Sequence, residues 1–250
     1  GDYSFAEKLA KHGNCYVNDA FGAAHRAHAS TTQLASFFPN DKMAGLLMNA
    51  EIENAKKVLH EAERPFTAIV GGAKVSDKVL IVENLLQIAN HIIIGGGMAY
   101  TFFKAMGGQI GASLCEEERV DTCKEILARA KTMGVQIHLP VDAIVADRFA
   151  ADANTKIANS REIEANWMGL DIGPKAIETF RAVLLDSKTI LWNGPMGVFE
   201  MPAFEAGTKN IALAVAEATA KGTFSLIGGG DSAAAVQQFN LSSQVSYVST

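Results

Sequence analysis

From Phe66 onward one pattern repeats along the chain: a short, almost wholly apolar run, a polar or glycine-rich break, then apolar residues at helical spacing. The runs predict strands at 66–70, 91–94, 135–139, 142–146, 189–192, 224–227 and 245–248. Helices are predicted at 77–89, 98–106, 116–133, 174–184 and 204–221. Strands without polar alternation bury both faces, so a mostly parallel sheet with helices on both sides is required. The expected fold class is therefore α/β, of the Rossmann-like kind.

The chain before Phe66 reads differently. A short helix is expected at 5–12, a strand at 15–17, and a small, polar, basic loop at 20–32. One long helix is expected at 42–62, with Met43, Leu46, Leu47, Ala50, Ala55, Val58, Leu59 and Ala62 facing inward. Residues 147–167 carry no pattern and read as an insertion or hairpin. The expected division is 1–45 as the end of one lobe, 46–63 as an interdomain helix, and 64–250 as a second lobe.

Composition excludes some classes of function. Of 250 residues, 48% are hydrophobic and 20% charged, which is ordinary for a globular chain. A net charge of −5 argues against a general nucleic-acid or anionic-membrane binder. Cys15, Cys115 and Cys123 form no CxxC pair, so a reduced, intracellular compartment is expected. No apolar run approaches a membrane span, and the first residues resemble no targeting peptide. The strand-like ending suggests a chain that continues beyond Thr250.

Ligands of parallel α/β sheets bind at the carboxyl ends of the strands. Here those ends are Gly71-Gly72, Gly95-Gly96-Gly97, Asn193-Gly194-Pro195 and Gly228-Gly229-Gly230-Asp231-Ser232. Several glycine turns on one rim let a ligand lie against backbone. In Gly71-Gly72-Ala73-Lys74-Val75-Ser76-Asp77-Lys78, Ser76 and Asp77 are expected at a helix N-cap. Lys74 and Lys78 then share one side of its first turn, against the helix dipole. A bound phosphate removes that conflict, although an i,i+4 lysine pair also suits a plain solvated face. No Walker A sequence occurs.

Asp231 reads either as an N-cap or as a Mg²⁺ ligand, and the two are compatible. Glu200 suits a ribose or a solvated loop. The apolar loops 167–170 and 196–199 suit either core packing or the walls of a purine slot. His25 and Arg26 form a candidate anion clamp. Gly228-x-Gly230-x-x-Ala233 fits a dinucleotide fingerprint, yet no acid follows Asp231 to hold the ribose.

Taken in order, VNDAFGAAHRAHAS (17–30), GGAKVSDK (71–78), IIIGGGMAYTF (92–102), LPVD (139–142), WMGLDIGP (167–174), WNGPMGVFE (192–200), GGGDS (228–232) and the closing VST resemble the phosphoglycerate kinase family. The resemblance implies a two-lobed enzyme moving phosphate between 1,3-bisphosphoglycerate and Mg·ADP, yielding 3-phosphoglycerate and ATP. It makes 1–45 a remnant of the substrate lobe and 64–250 the nucleotide lobe.

By the same resemblance, Lys74 and Lys78 neutralise phosphates, with Lys78 on the transferring group. Asp231 holds Mg²⁺, Ser232 contacts a phosphate oxygen, and Glu200 takes the ribose. Gly72, Gly96, Leu114, Met168, Gly169, Leu170, Gly194, Met196 and Phe199 surround the nucleotide. Arg26, supported by His25, binds the phosphoglycerate phosphate.

Ser232 stands where the family usually has threonine, which keeps the hydroxyl. Most of the family's substrate lobe has no counterpart here, so little activity is expected of this chain alone. A cytoplasmic monomer is implied, with no nucleic-acid or membrane partner. The alternatives are a nucleotide-binding module without catalysis and a nicotinamide-dependent oxidoreductase.

Overall fold

The computed structural model describes residues 2–249; Gly1 and Thr250, the ends of the two expected lobes, lie outside the described residues. The chain forms two compact units that divide between His60 and Glu61.

In the first unit, helix α1 (Tyr3–Ala10) starts on Asp2, whose carboxylate accepts the Phe5 N–H at 3.1 Å. Strand β1 (Tyr16–Asn18) pairs in parallel with β2 (Lys42–Ala44), and helix α2 (Leu46–Leu59) follows. The long helix expected at 42–62 is therefore shorter at both ends. Residues 42–44 are taken by the ladder with β1, and the Gly45 N–H donates to the Asn18 carbonyl at 2.8 Å. Asp19 accepts the Met48 N–H at 2.8 Å, so α2 is capped by a side chain distant in sequence. The buried residues of α2 are Met48, Glu51 and Val58, whereas Leu46, Leu47 and Leu59, expected inward, are exposed. The segment expected as a plain loop at 20–32 contains a 3₁₀ turn at Phe21–Ala23 and runs into a π-helical turn at Ala29–Gln33.

The second unit runs through β3 (Phe66–Val70), α3 (Val79–Leu85), β4 (His91–Ile94), α4 (Met98–Ala105), β5 (Gln109–Ile110) and α5 (Val120–Met133). Next come β6 (Gln136–His138), β7 (Asp142–Ala146), β8 (Thr155–Asn159), β9 (Glu162–Ile163) and β10 (Met168–Ile172). It closes with α6 (Pro174–Asp186), β11 (Thr189–Asn193), α7 (Ala206–Ala220), β12 (Phe224–Gly228), α8 (Gly230–Gln238) and β13 (Tyr247–Val248). The main sheet has the order β13-β12-β11-β3-β4-β6, and every neighbouring pair is parallel.

Ile69, Ile93, Ile190, Trp192 and Ile227 pack with Phe180, Leu184, Ile211 and Val215 of α6 and α7. Ala68, Val70, Ile92 and Ile94, one residue out of step and so on the opposite face, are equally buried. The α/β fold expected from the apolar runs is the fold observed.

One expected strand leaves that sheet. Pro140, which carries no N–H, follows β6, and β7 joins a separate antiparallel sheet of order β10-β7-β8. The hairpin anticipated within 147–167 supplies β8. Asp142 at the head of β7 accepts the N–H groups of Lys175 and Ala176 at 3.1 and 2.8 Å, capping α6.

Candidate functional site

Strand order places the candidate site. The chain builds the sheet outward from β3 to β4 and β6, then returns to β3's other side with β11 and continues to β12 and β13. The connections beyond β3 and β11 thus part in opposite directions, leaving a crevice at their carboxyl ends.

Gly71 and Gly194 meet there. The Gly71 N–H donates to the Asn193 carbonyl at 2.9 Å and the Gly72 N–H to the Pro195 carbonyl at 3.1 Å. A Cβ on Gly71 would fall 2.0 Å from the Pro195 carbonyl oxygen, and one on Gly194, at φ +103°, 2.2 Å from that of Gly71. The two strand ends pass so closely that neither admits a side chain.

A cavity of about 510 Å³ opens beside this crossing. Of the residues expected around a nucleotide, Gly72, Gly96, Leu114, Met168, Gly169, Leu170, Met196, Glu200 and Asp231 line it. Leu114 and Glu200 are exposed and Met196 is buried. Tyr100, Pro140, Phe149, Val198 and Asp171 complete much of the wall. Phe199 is not a lining residue; it is buried, and its carbonyl accepts from Gln238 Nε2 at 3.5 Å. Gly194 is also withheld: its N–H donates to Ser232 Oγ at 2.5 Å, and its carbonyl accepts from Trp192 Nε1 at 2.7 Å. Ser232 is fully buried, with the hydroxyl oxygen engaged on that amide.

The lysine loop differs in detail from its expected form. Helix α3 begins at Val79, with Lys78 at the N-cap position and no side-chain cap. Ser76 does not cap it, because its hydroxyl and N–H both go to Glu116. Lys74 is exposed, ahead of the helix. Lys78 Nζ donates to Asn193 Oδ1 at the end of β11. Burial lowers the ammonium's pKa, while the charges of Asp231 and Asp77 act in the other direction.

Asn193 is the polar contact that sequence reasoning passed over. Its position at a strand end before Gly-Pro was the available signal.

Asp231 lies exposed in the first turn of α8, which follows Gly229 at φ +86°. It does not cap the helix with its side chain. Among the described residues no group of His, Cys, Asp and Glu could hold a metal unaided. A lone carboxylate on a glycine-rich rim suits Mg²⁺, which takes most of its ligands from water and phosphate oxygens. His25 and Arg26 lie in the first unit, where Arg26 Nε donates to His25 Nε2 at 3.3 Å.

Asp171 in β10, on the cavity wall, is strongly altered by its surroundings. Burial raises its pKa to about 7, against the Gly207 and Ile172 N–H groups that favour its charge, at 2.6 and 2.9 Å. Its folded pKa exceeds its unfolded value, so the proton it binds stabilises the fold at low pH and that contribution is lost as pH rises through about 7. The advantage of the wild-type chain over Asp171→Asn should therefore shrink between about pH 4 and 7, by an amount on the order of 2–4 kcal/mol. Urea unfolding of both chains across that range measures it; a pH-independent difference contradicts the assignment.

The sequence model described as Phosphoglycerate kinase matches residues 1–250. The chain is 55% identical over 247 residues to the phosphoglycerate kinase of Porphyromonas gingivalis, covering 98% of this chain and 59% of that protein. Among solved structures, the phosphoglycerate kinase from Coxiella burnetii superposes with a TM-score of 0.91 at 42% identity, covering 100% of this chain and 64% of that one. The enzyme from Pyrococcus horikoshii gives 0.83 at 30% identity, with 100% and 63% covered.

Proposed function

The chain belongs to the phosphoglycerate kinase family, and from that premise we propose that it serves phosphoryl transfer between 1,3-bisphosphoglycerate and Mg·ADP, giving 3-phosphoglycerate and ATP. Membership replaces the oxidoreductase alternative, although Gly228–Ala233 does form the strand–turn–helix that a dinucleotide fingerprint would need. On this reading residues 64–250 are the nucleotide lobe, 46–63 an interdomain helix and 1–45 the end of the substrate lobe.

The observation that carries the proposal is the cavity beside the β3/β11 crossing, largely apolar in its lining with Asp231 on its wall. Lys78 does not line it but is held on Asn193 at the end of β11, where the charge of Asp231 acts on it. Leu114, Met168, Leu170 and Met196 suit the faces of a purine. Glu200 suits a ribose hydroxyl, and Gly72, Gly96 and Gly169 let the nucleotide lie close to backbone. Phe199 and Gly194 are assigned to the nucleotide's surroundings although neither lines the cavity. Lys74 and Lys78 supply positive charge for the phosphates, Lys78 being assigned to the transferring group. Ser232, fully buried and accepting the Gly194 N–H, is assigned to a phosphate oxygen.

Asp231 is the proposed Mg²⁺ ligand; when bound, the ion spreads the charge of the phosphate oxygens. The carboxylate of 3-phosphoglycerate is ionised at neutral pH, so no general base is needed and positioning with charge stabilisation suffices. Arg26 and His25 are assigned to the phosphate of the phosphoglycerate.

The reading extends to a cytoplasmic, monomeric protein without nucleic-acid or membrane partners. The net charge of −5 agrees with it, and no helix among the described residues is long and apolar enough to cross a membrane.

Because the chain spans 59% of the length of the curated relative, the direct test is binding. Titration calorimetry of Mg·ADP into the chain should give saturable one-site binding; absence of binding overturns the nucleotide assignment. A coupled assay on the same chain, where little turnover is expected, separates catalysis from a nucleotide-binding module.

A further inference from the structure

Glu116 has no task in the reading above, yet it is built into the site. Its Oε2 accepts the Ser76 N–H at 3.0 Å, and its Oε1 accepts the Ser76 hydroxyl at 2.5 Å. Its own N–H donates at 3.2 Å to Thr101 Oγ1, which is buried on α4. Leu114, two residues earlier, lines the cavity.

A carboxylate that takes both donors of one residue fixes that residue's backbone as well as its side chain. The rest of the loop leans on the same point. Val75 is buried, and its carbonyl accepts the Lys78 and Val79 N–H groups at 2.9 and 2.8 Å. Burial works against the charge of Glu116, but the Ser76 hydroxyl, the Ser76 and Val75 amides and nearby Lys74 hold its carboxyl below the ordinary range. Among the described residues Lys74 makes no ion pair. Glu116 is thus committed to Ser76, and Lys74 remains available for an anion.

We propose that Glu116 is a positioning residue for phosphate binding: by gripping Ser76 and anchoring on Thr101, it fixes the Gly72–Lys78 loop in the form that presents both lysines to the nucleotide's phosphates. The inference rests on the nucleotide assignment. It separates two parts of the ligand, because Glu116 acts on the phosphate end and leaves the base wall intact.

The test is calorimetric titration of Mg·ADP and of adenosine into the wild-type chain, Glu116→Gln and Ser76→Ala. Glutamine replaces one acceptor with a donor facing the Ser76 donors, so Glu116→Gln should bind Mg·ADP about tenfold more weakly. Adenosine affinity should stay within about twofold, the ordinary size of a change that removes no contact. Ser76→Ala should show a smaller loss confined to Mg·ADP, and the double variant should be no weaker than Glu116→Gln alone, because the two groups form one contact.

Unchanged Mg·ADP affinity in Glu116→Gln, or an equal loss for adenosine, overturns the proposal. Should that variant not fold, an unchanged Mg·ADP affinity in Ser76→Ala overturns it. A wild-type chain that binds Mg·ADP no better than adenosine instead removes the assignment on which the inference rests.

Discussion

Replacing Lys78 with alanine is expected to weaken Mg·ATP binding by about 10- to 100-fold, the range of a lost hydrogen bond between charged groups. The side chain is half-buried, with its ammonium held by the Asn193 side-chain carbonyl and the charges of Asp231 and Asp77. Burial already disfavours the cation, so a phosphate placed there recovers interaction that water no longer provides. Adenosine, which carries no phosphate, should bind the variant as it binds the wild type.

Stability should behave differently from affinity. Removing a half-buried ammonium relieves a desolvation cost but leaves Asn193 Oδ1 without its donor, so the urea midpoint is expected to move little. Titrations of both ligands alongside urea unfolding test this. Unchanged Mg·ATP affinity contradicts the assignment of Lys78, and parallel losses of adenosine affinity and stability would show a structural role in its place.

The second large effect is expected at Gly71. In Gly71→Ala the new methyl carbon would lie 2.0 Å from the Pro195 carbonyl oxygen and 2.6 Å from that of Gly194. Both obstacles are backbone, so no rotamer change relieves them; β3 and β11 must separate at their carboxyl ends. The hydrogen bonds from Gly71 to Asn193 and from Gly72 to Pro195 then lengthen or break. Two buried backbone hydrogen bonds lost together cost about 2–6 kcal/mol. Since Gly72 and Pro195, the next residues on either side of this crossing, line the cavity, Mg·ADP binding should vanish even at temperatures where the variant remains folded. Denaturant unfolding with calorimetry on the residual folded chain checks both parts. A stable variant with wild-type affinity would mean that the crossing can open without consequence.

Much of this protein is local in its sequence. The apolar runs of β3, β4, β11 and β12, each followed by glycine or Asn-Gly, are single-segment signals that burial on both faces imposes on the residues themselves. The carboxyl-end rim, with Gly72, Gly96, Asp231 and their neighbours, was legible for the same reason. Where the local pattern failed, a distant partner had intervened. Helical spacing at 42–62 lost its first residues to the ladder with β1, and Asp19 determined where α2 begins. The run at 142–146 is strand-like by composition, but Pro140 and pairing with β8 and β10 placed it in another sheet.

The chemistry of the site divides along the same line. Residue types suited to phosphate or purine are written in short motifs. Lys78 meets Asn193 across 115 residues and Ser76 meets Glu116 across 40, and no periodicity encodes either contact. By itself the sequence determined the elements, their alternation and the rim, because these follow from the burial and backbone preferences of neighbouring residues. Only the tertiary structure decided that β3 and β11 adjoin, that a crevice opens between them and that Glu116 holds the lysine loop, because these contacts arise from strand order and long-range hydrogen bonding.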